Sequence, residues 1–234
     1  MSGGNTVKAL ITQRETIDTH GVPIDVLDST YVKFFEKLDI ELIMVSNFHN
    51  DIRSVLNKKH FDLVILTGGG TIPSKYYEEN HDEELQKNRD QIEKDIMEYS
   101  IANKKIIIGI CRGMQYINGL YGGKVSQLRN LSNPRFIRVD HLVNIGKRCI
   151  KVNNYHNDGI YMKNLAKDFK VLAVDKENDV VESFYSNNKK ILCVQWHPER
   201  EFDDKKSLDE STKIIANFIR AGGLIDESNY FGSR

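Results

Sequence analysis

Cysteine is scarce in this chain. The 234 residues include three, Cys111, Cys149 and Cys193, odd in number and far apart. That excludes a disulfide framework, fits no zinc-ligand spacing, and points to free thiols in a reducing compartment. An excess of charge of either sign is also lacking. Lys plus Arg and Asp plus Glu stand at 33 each, which removes the global electrostatic case for nucleic acid or a membrane surface as partner. No apolar run is long enough to span a bilayer, and the opening Met-Ser-Gly-Gly-Asn-Thr-Val-Lys carries no signal-peptide stretch, so a cytoplasmic location is expected. There are no internal repeats and no low-complexity segments. What is present, 40% hydrophobic and 28% charged residues, suits one large α/β domain over residues 1–234 with a real core and a charged surface.

Apolar runs alternate with helical stripes through the first half. Residues 7–12, 40–45, 61–66 and 106–110 read as strands. Between them, Val26, Tyr31, Phe34, Phe35 and Leu38 mark a helix over 25–38. Ile52 and Leu56 mark a second helix, and Ile92, Ile96, Met97 and Tyr99 a third over 89–101. Such alternation predicts parallel pairing, right-handed crossovers and a ligand site at the carboxyl ends of the strands. The second half is richer in β-structure. Residues 141–145 and 149–153 alternate like an antiparallel pair, and 169–174, 180–184 and 191–194 like a meander. A last helix over 208–221 stops at Gly222-Gly223.

Three stretches carry chemistry. The first is Gly109-Ile110-Cys111-Arg112-Gly113, where an apolar strand turns directly into a helix with Met114, Ile117 and Tyr121 at helical spacing. This is the cysteine form of a nucleophile elbow, with the thiol at a helix N-terminus where partial positive charge favours thiolate. Taken alone, such a cysteine is as readily a small buried hydrophobe. The second is Thr67-Gly68-Gly69-Gly70-Thr71, which follows the third strand. A bare glycine triplet reads as a flexible turn. Placed one strand–helix unit before the elbow, however, the backbone N–H groups of Gly69 or Gly70 and of Arg112 can meet at one developing oxyanion. The third is His197-Pro198-Glu199, at the end of the last strand. In an extended segment, residues two apart share a face, so one carboxylate can orient one imidazole. The polar connection 71–88 is long enough to overhang this edge, with Tyr76, Tyr77 and His81 facing substrate.

Four segments in register, Thr67–Gly70, Gly109–Gln115, Val152–His156 and Gln195–Glu199, resemble the class I glutamine amidotransferase-like superfamily. Within it they are most similar to the free-standing γ-glutamyl hydrolases, over residues 5–221. The resemblance implies a Rossmann-like, flavodoxin-like fold: a mostly parallel sheet flanked by helices, with a smaller antiparallel portion in the second half. It implies Cys111 as nucleophile, His197 as base and Glu199 as its orienting carboxylate. Gly69, Gly70 and the Arg112 N–H would form the oxyanion hole. Gln115, Asn154 and His156 would contact the glutamyl part of the substrate, although Asn154-Tyr-His-Asn-Asp158 departs from the usual Ser-x-His-x-Gln. No metal or organic cofactor enters this chemistry.

The implied partner is a small-molecule γ-glutamyl amide; a glutaminase would need a separate synthetase chain. A phosphate-bearing, nucleotide-linked leaving group would suit Arg112, Arg129, Arg135, Arg138 and Arg200. A cationic, polyamine-type one would suit Glu78, Glu79, Asp82 and Glu83.

Overall fold

The structure is a computed structural model and describes residues 6–79, 86–128, 139–200 and 205–231. β1 (Val7–Ile11) leads into a two-stranded ribbon, β2 (Arg14–Ile17) and β3 (Pro23–Val26). Then come α1 (Ser29–Glu36), β4 (Ile40–Met44), α2 (Ile52–Lys58), β5 (Leu63–Leu66), α3 (Lys87–Ala102), β6 (Ile106–Ile110) and α4 (Arg112–Leu120). The second half runs through β7 (Ser126–Gln127), β8 (His141–Ile145), β9 (Arg148–Val152), β10 (Asp158–Tyr161), β11 (Lys170–Asp175), β12 (Val180–Ser186) and β13 (Ile191–Val194). It ends in α5 (Lys205–Arg220) and the short α6 (Ser228–Phe231).

Apart from the ribbon, the described strands join one sheet. Its parallel part has the order β4-β1-β5-β6-β13, the strand order of flavodoxin-like folds. β13 is the seam: it is parallel to β6 and antiparallel to β12, and β11, β8 and β9 continue outward antiparallel. Every residue of β5 and β13 is buried, as strands covered on both faces must be. One face packs against α1 and α5 through Phe34, Phe35, Ile215 and Phe218. The other packs against α2, α3 and α4 through Leu56, Ile96, Met97 and Ile117.

Two local expectations are corrected. The helix expected over 25–38 begins at Ser29, because Val26 belongs to the ribbon and pairs with Arg14. The ribbon itself has no alternating pattern to announce it. Its turn is held by the Asp18 carboxylate, which accepts from the N–H groups of His20 (2.8 Å) and Val22 (2.9 Å). Nor do Tyr76 and Tyr77 overhang the sheet edge. Tyr76 lies against α4, where a Cβ added to Gly119 would meet its Cγ at 2.5 Å. Tyr77 is buried and donates its hydroxyl to Asp158 Oδ2 at 3.0 Å. His81 lies outside the described residues.

Candidate active site

The carboxyl ends of β5, β6 and β13 lie side by side, so the residues that follow them meet at one edge. Cys111 comes directly after β6. Its N–H donates to Val194 O at 2.8 Å, which ties it one step beyond the β6–β13 ladder. Its backbone sits at φ 52°, ψ −107°, and it caps α4. A non-glycine residue in that region costs about 1–3 kcal/mol and persists only where its surroundings fix it. Close packing does so here. A Cβ at Gly113 would stand 2.3 Å from Leu66 O, so only glycine lets α4 leave the strand this steeply.

Three residues past β13, His197 is held from both sides. Its N–H donates to Asn153 Oδ1 (2.9 Å), and its carbonyl accepts from Asn153 Nδ2 (2.8 Å). Its Nδ1 bonds Glu199 Oε1 at 2.6 Å. The other ring edge faces Cys111. A Cβ built on Gly68 would lie 2.6 Å from His197 Cε1 and 3.3 Å from both His197 Nε2 and Cys111 Cβ. One glycine thus marks the meeting point of thiol and imidazole. Burial by itself would strip the imidazole of its proton. The Cys111 sulfur and the Glu199 carboxylate outweigh that and raise His197 to about 10. Through neutral pH the ring is therefore held as a cation. Behind it, the buried Tyr31 hydroxyl accepts from the Gly68 N–H at 2.9 Å and stands beside Glu199, and burial and that carboxylate push its pKa well up.

Residues 24–220, more than half of the chain, match the family model described as glutamine amidotransferase class-I. The chain belongs to the class I glutamine amidotransferases. It is 32% identical over 138 residues to a γ-glutamyl-CDP-amidate hydrolase of Campylobacter jejuni, covering 59% of this chain and 62% of that protein. It is 32% identical over 178 residues to a glutamine-hydrolysing GMP synthase subunit of Thermoplasma volcanium, covering 73% of this chain and 75% of that one. Among solved structures, a glutamine amidotransferase of Thermotoga maritima superposes with a TM-score of 0.58 at 17% identity, over 97% of this chain and 90% of the other. That likeness bears on the fold.

In this chain the predicted Cys111, His197 and Glu199 come together. Gly69 and Gly70 lie in the adjoining loop, both at left-handed φ (+84° and +76°). The glycine that touches the thiol–imidazole pair, however, is Gly68, and its N–H is taken by Tyr31. Arg112 departs from expectation. Its side chain cannot read substrate, because the guanidinium is buried and bonds Glu93 Oε2 (2.5 Å), Asp90 Oδ1 (2.5 Å) and Thr71 O (2.8 Å). Its backbone N–H, at the first position of α4, is still suited to an oxyanion. Gln115 Nε2 donates to Asp158 O (3.0 Å) and Gln195 Oε1 (3.2 Å), so its amide nitrogen is committed within the protein. His156 Nδ1 bonds the same Asp158 carbonyl at 2.9 Å, and Asn154 Oδ1 accepts from the His156 N–H at 3.3 Å. Arg200 bonds Asp28 (3.2 Å) and lies over the Tyr155 ring, which in turn stands edge-on to His197. Arg129, Arg135, Arg138, Asp82 and Glu83 lie outside the described residues. Glu78 is tied to Ser126 and Lys163.

Four participants were not foreseen: Gly68, Tyr31, Asn153 and Arg14. Asn153 lies within the Val152–His156 segment, but nothing in its spacing tells which of two neighbouring asparagines turns toward His197. Arg14 comes from the unforeseen ribbon. Its side chain covers Gly69, and with Tyr31, Gly68, His197 and Arg200 it lines one notch. Among the described residues no carboxylate pairs with it.

Proposed function

We propose that this chain is a cysteine-dependent hydrolase that cleaves a γ-glutamyl amide through a thioester and releases L-glutamate. The convergence of thiol, imidazole and carboxylate at Gly68 supports this reading most directly. The Cys111 thiolate adds to the γ-carbonyl carbon, and the carbonyl π pair moves to oxygen. The N–H groups of Arg112 and of Gly69 or Gly70 receive that oxyanion. As it collapses, the C–N bond breaks and the departing nitrogen takes the His197 proton. Neutral His197 then removes a proton from water, whose oxygen attacks the thioester. The carbon–sulfur bond breaks, glutamate leaves, and the thiolate–imidazolium pair is restored. Glu199 holds the ring in one orientation and stabilises its charge throughout.

For the leaving group we propose a cytidine diphosphoramidate: γ-glutamyl-CDP-amidate would give L-glutamate and the free phosphoramidate donor, of the kind used in capsule modification. Two things support this. The Campylobacter relative carries that name, and Arg14 and Arg200 offer guanidinium groups at the notch beside His197, the residue that would protonate the leaving nitrogen. The same arginines would accept the carboxylate of γ-glutamyl-γ-aminobutyrate, the second reading. The likeness to one chain of a GMP synthase favours a third, ammonia supply to a synthetase chain.

Glutamate release from the three substrates separates them: γ-glutamyl-CDP-amidate, γ-glutamyl-γ-aminobutyrate and free glutamine. We expect kcat/KM to be highest for the nucleotide amide and to fall about 10-fold or more for it in Arg14→Ala, the usual effect of losing a charge-assisted contact to phosphate. Equal turnover of an uncharged γ-glutamyl amide overturns the nucleotide reading. A preference for glutamine that rises with an added synthetase overturns the free-standing hydrolase.

A further inference from the structure

Beneath the glycine loop and the elbow lies a buried ion cluster that the chemistry above does not use. Arg89 and Glu93, one turn apart on α3, are both fully buried. Arg89 Nε donates to Glu93 Oε1 at 2.8 Å, and the same oxygen accepts from the Thr12 hydroxyl at 2.7 Å. The other Glu93 oxygen takes Arg112 Nη1 at 2.5 Å. One carboxylate therefore joins two guanidinium groups, and each guanidinium holds the glycine loop by its carbonyls. Arg89 donates to Thr67 O (2.7 Å), Gly69 O (2.8 Å) and, at 3.4 Å, Gly68 O. Arg112 Nε donates to Thr71 O at 2.8 Å.

The consequence follows from peptide geometry. In a planar trans peptide, a carbonyl and the N–H that follows it point in opposite directions. With the carbonyls of residues 67 to 69 drawn toward Arg89, the N–H groups of Gly68, Gly69 and Gly70 turn away from it. The Gly68 N–H does so visibly: it donates to Tyr31, on the Cys111–His197 side. The second donor, the Arg112 N–H, belongs to a residue whose side chain is anchored on the same Glu93. We propose that Glu93, acting through Arg89 and Arg112, is a positioning residue that holds both halves of the oxyanion site in register. The proposal rests on the reading of Cys111 as nucleophile. Its charges face one another closely: Arg89 and Arg112 against Glu93 and Asp90, with the Glu15 carboxylate at the Arg89 N–H. Burial opposes ionised Glu93, but the two guanidiniums overcome it and hold its pKa below the usual carboxylate range.

The test uses the whole chain with Arg89→Lys, which keeps the charge but loses the fork to the carbonyls, and Glu93→Gln, which keeps the shape but loses the charge. Three readouts are compared with wild type. The first is the split of kcat from KM on the best γ-glutamyl amide. The second is the affinity of a γ-glutamyl aldehyde, whose carbon bonds the Cys111 sulfur while its oxygen takes up the negative charge in the oxyanion site. The third is the rate of Cys111 alkylation by iodoacetamide, which needs thiolate but no oxyanion donor. Losing one such donor outright costs roughly 100–1,000-fold in kcat. For donors present but misdirected, we expect kcat to fall about 10- to 100-fold with KM within about threefold. Aldehyde affinity should weaken by the same factor, and alkylation should stay within about twofold. Wild-type kcat in both variants overturns the proposal. So does aldehyde binding that holds while kcat falls, or alkylation that falls in step with kcat, since either makes the cluster a scaffold only. A wild-type protein that releases glutamate from no amide refutes the hydrolase reading instead; aldehyde affinity still decides the positioning role.

Discussion

Replacing Gly68 by alanine tests the geometry at its tightest point. Gly68 does not sit in the left-handed region, so alanine meets no backbone objection and the whole effect is steric. The new methyl would stand 2.6 Å from His197 Cε1 and 3.3 Å from Nε2. Carbon atoms rest about 3.5–4.0 Å apart, so one partner must move by about 1 Å. The His197 backbone is locked by Asn153 and the loop carbonyls by Arg89, which leaves a tilt of the ring away from Cys111, pivoting on its Glu199 bond. A misplacement of about 1 Å can cost roughly 100-fold in rate, and we expect that loss in kcat for glutamate release. A second signature follows. The Cys111 sulfur helps raise His197 to about 10, so separating the two should move the alkaline limb of the pH–rate profile toward neutrality. Overpacking of this kind costs about 1–3 kcal/mol. In a chain of this size each kcal/mol moves Tm by about 2–4 °C, so the folded protein should survive. An alanine variant with wild-type kcat and an unmoved alkaline limb would refute the reasoning, because the loop would then not abut the pair.

Cys111→Ser should abolish turnover and leave the circular-dichroism spectrum and Tm essentially unchanged, since the buried side chain keeps its shape. Asn153→Ala should strip the His197 N–H and carbonyl of their partners. Each unsatisfied buried group costs about 1–3 kcal/mol, so a Tm drop of several degrees and a fall in kcat are expected together, both read on purified protein. His197 also makes stability depend on pH. Its folded pKa of about 10 lies above the ordinary 6.5, so its contribution is complete below pH 6.5 and is lost as pH rises toward 10. Tm measured from pH 6 to 10 should therefore decline in wild type and decline less in Glu199→Gln, where one source of the raised pKa is gone.

The parallel half of the fold was legible because buried strands leave continuous apolar runs. Leu63–Leu66, Ile106–Ile110 and Ile191–Val194 each declare a strand that no neighbouring context is needed to read. The ribbon was not legible. Arg14–Ile17 and Pro23–Val26 bury no continuous face, and the turn depends on where one aspartate side chain points. The same division holds at the site. Cys111, His197 and Glu199 could be named because their spacing along strand ends implies their placement. Gly68 and Asn153 act through space, from loops whose conformation no local pattern fixes, and Tyr31, though its helix was legible, reaches the site only through the tertiary packing of α1. Arg112 shows the division within one residue. Its backbone position follows from the elbow, whereas the fate of its guanidinium depends on Glu93 and Asp90, about twenty positions earlier on another helix.

The arrangement separates what must stay rigid from what can vary. β13 is the only described strand with a parallel neighbour on one side and an antiparallel one on the other. Its end delivers His197 beside Cys111, while the antiparallel half supplies Asn153 to hold it. On the parallel side, buried charges on α3 grip the carbonyls of the loop proposed to carry oxyanion donors. Every group assigned to bond-making is thus fixed by fully or nearly buried partners. Arg14 and Arg200 stand differently: they are half-exposed, on a ribbon and a loop, at the mouth of the same notch. Arginines at the surface of such segments can be exchanged with little effect on folding, because surface substitutions rarely exceed about 0.5 kcal/mol. On the proposed function, a change of leaving group therefore needs alteration only at that rim, and the proposed thioester chemistry can be retained while the amide it acts on changes.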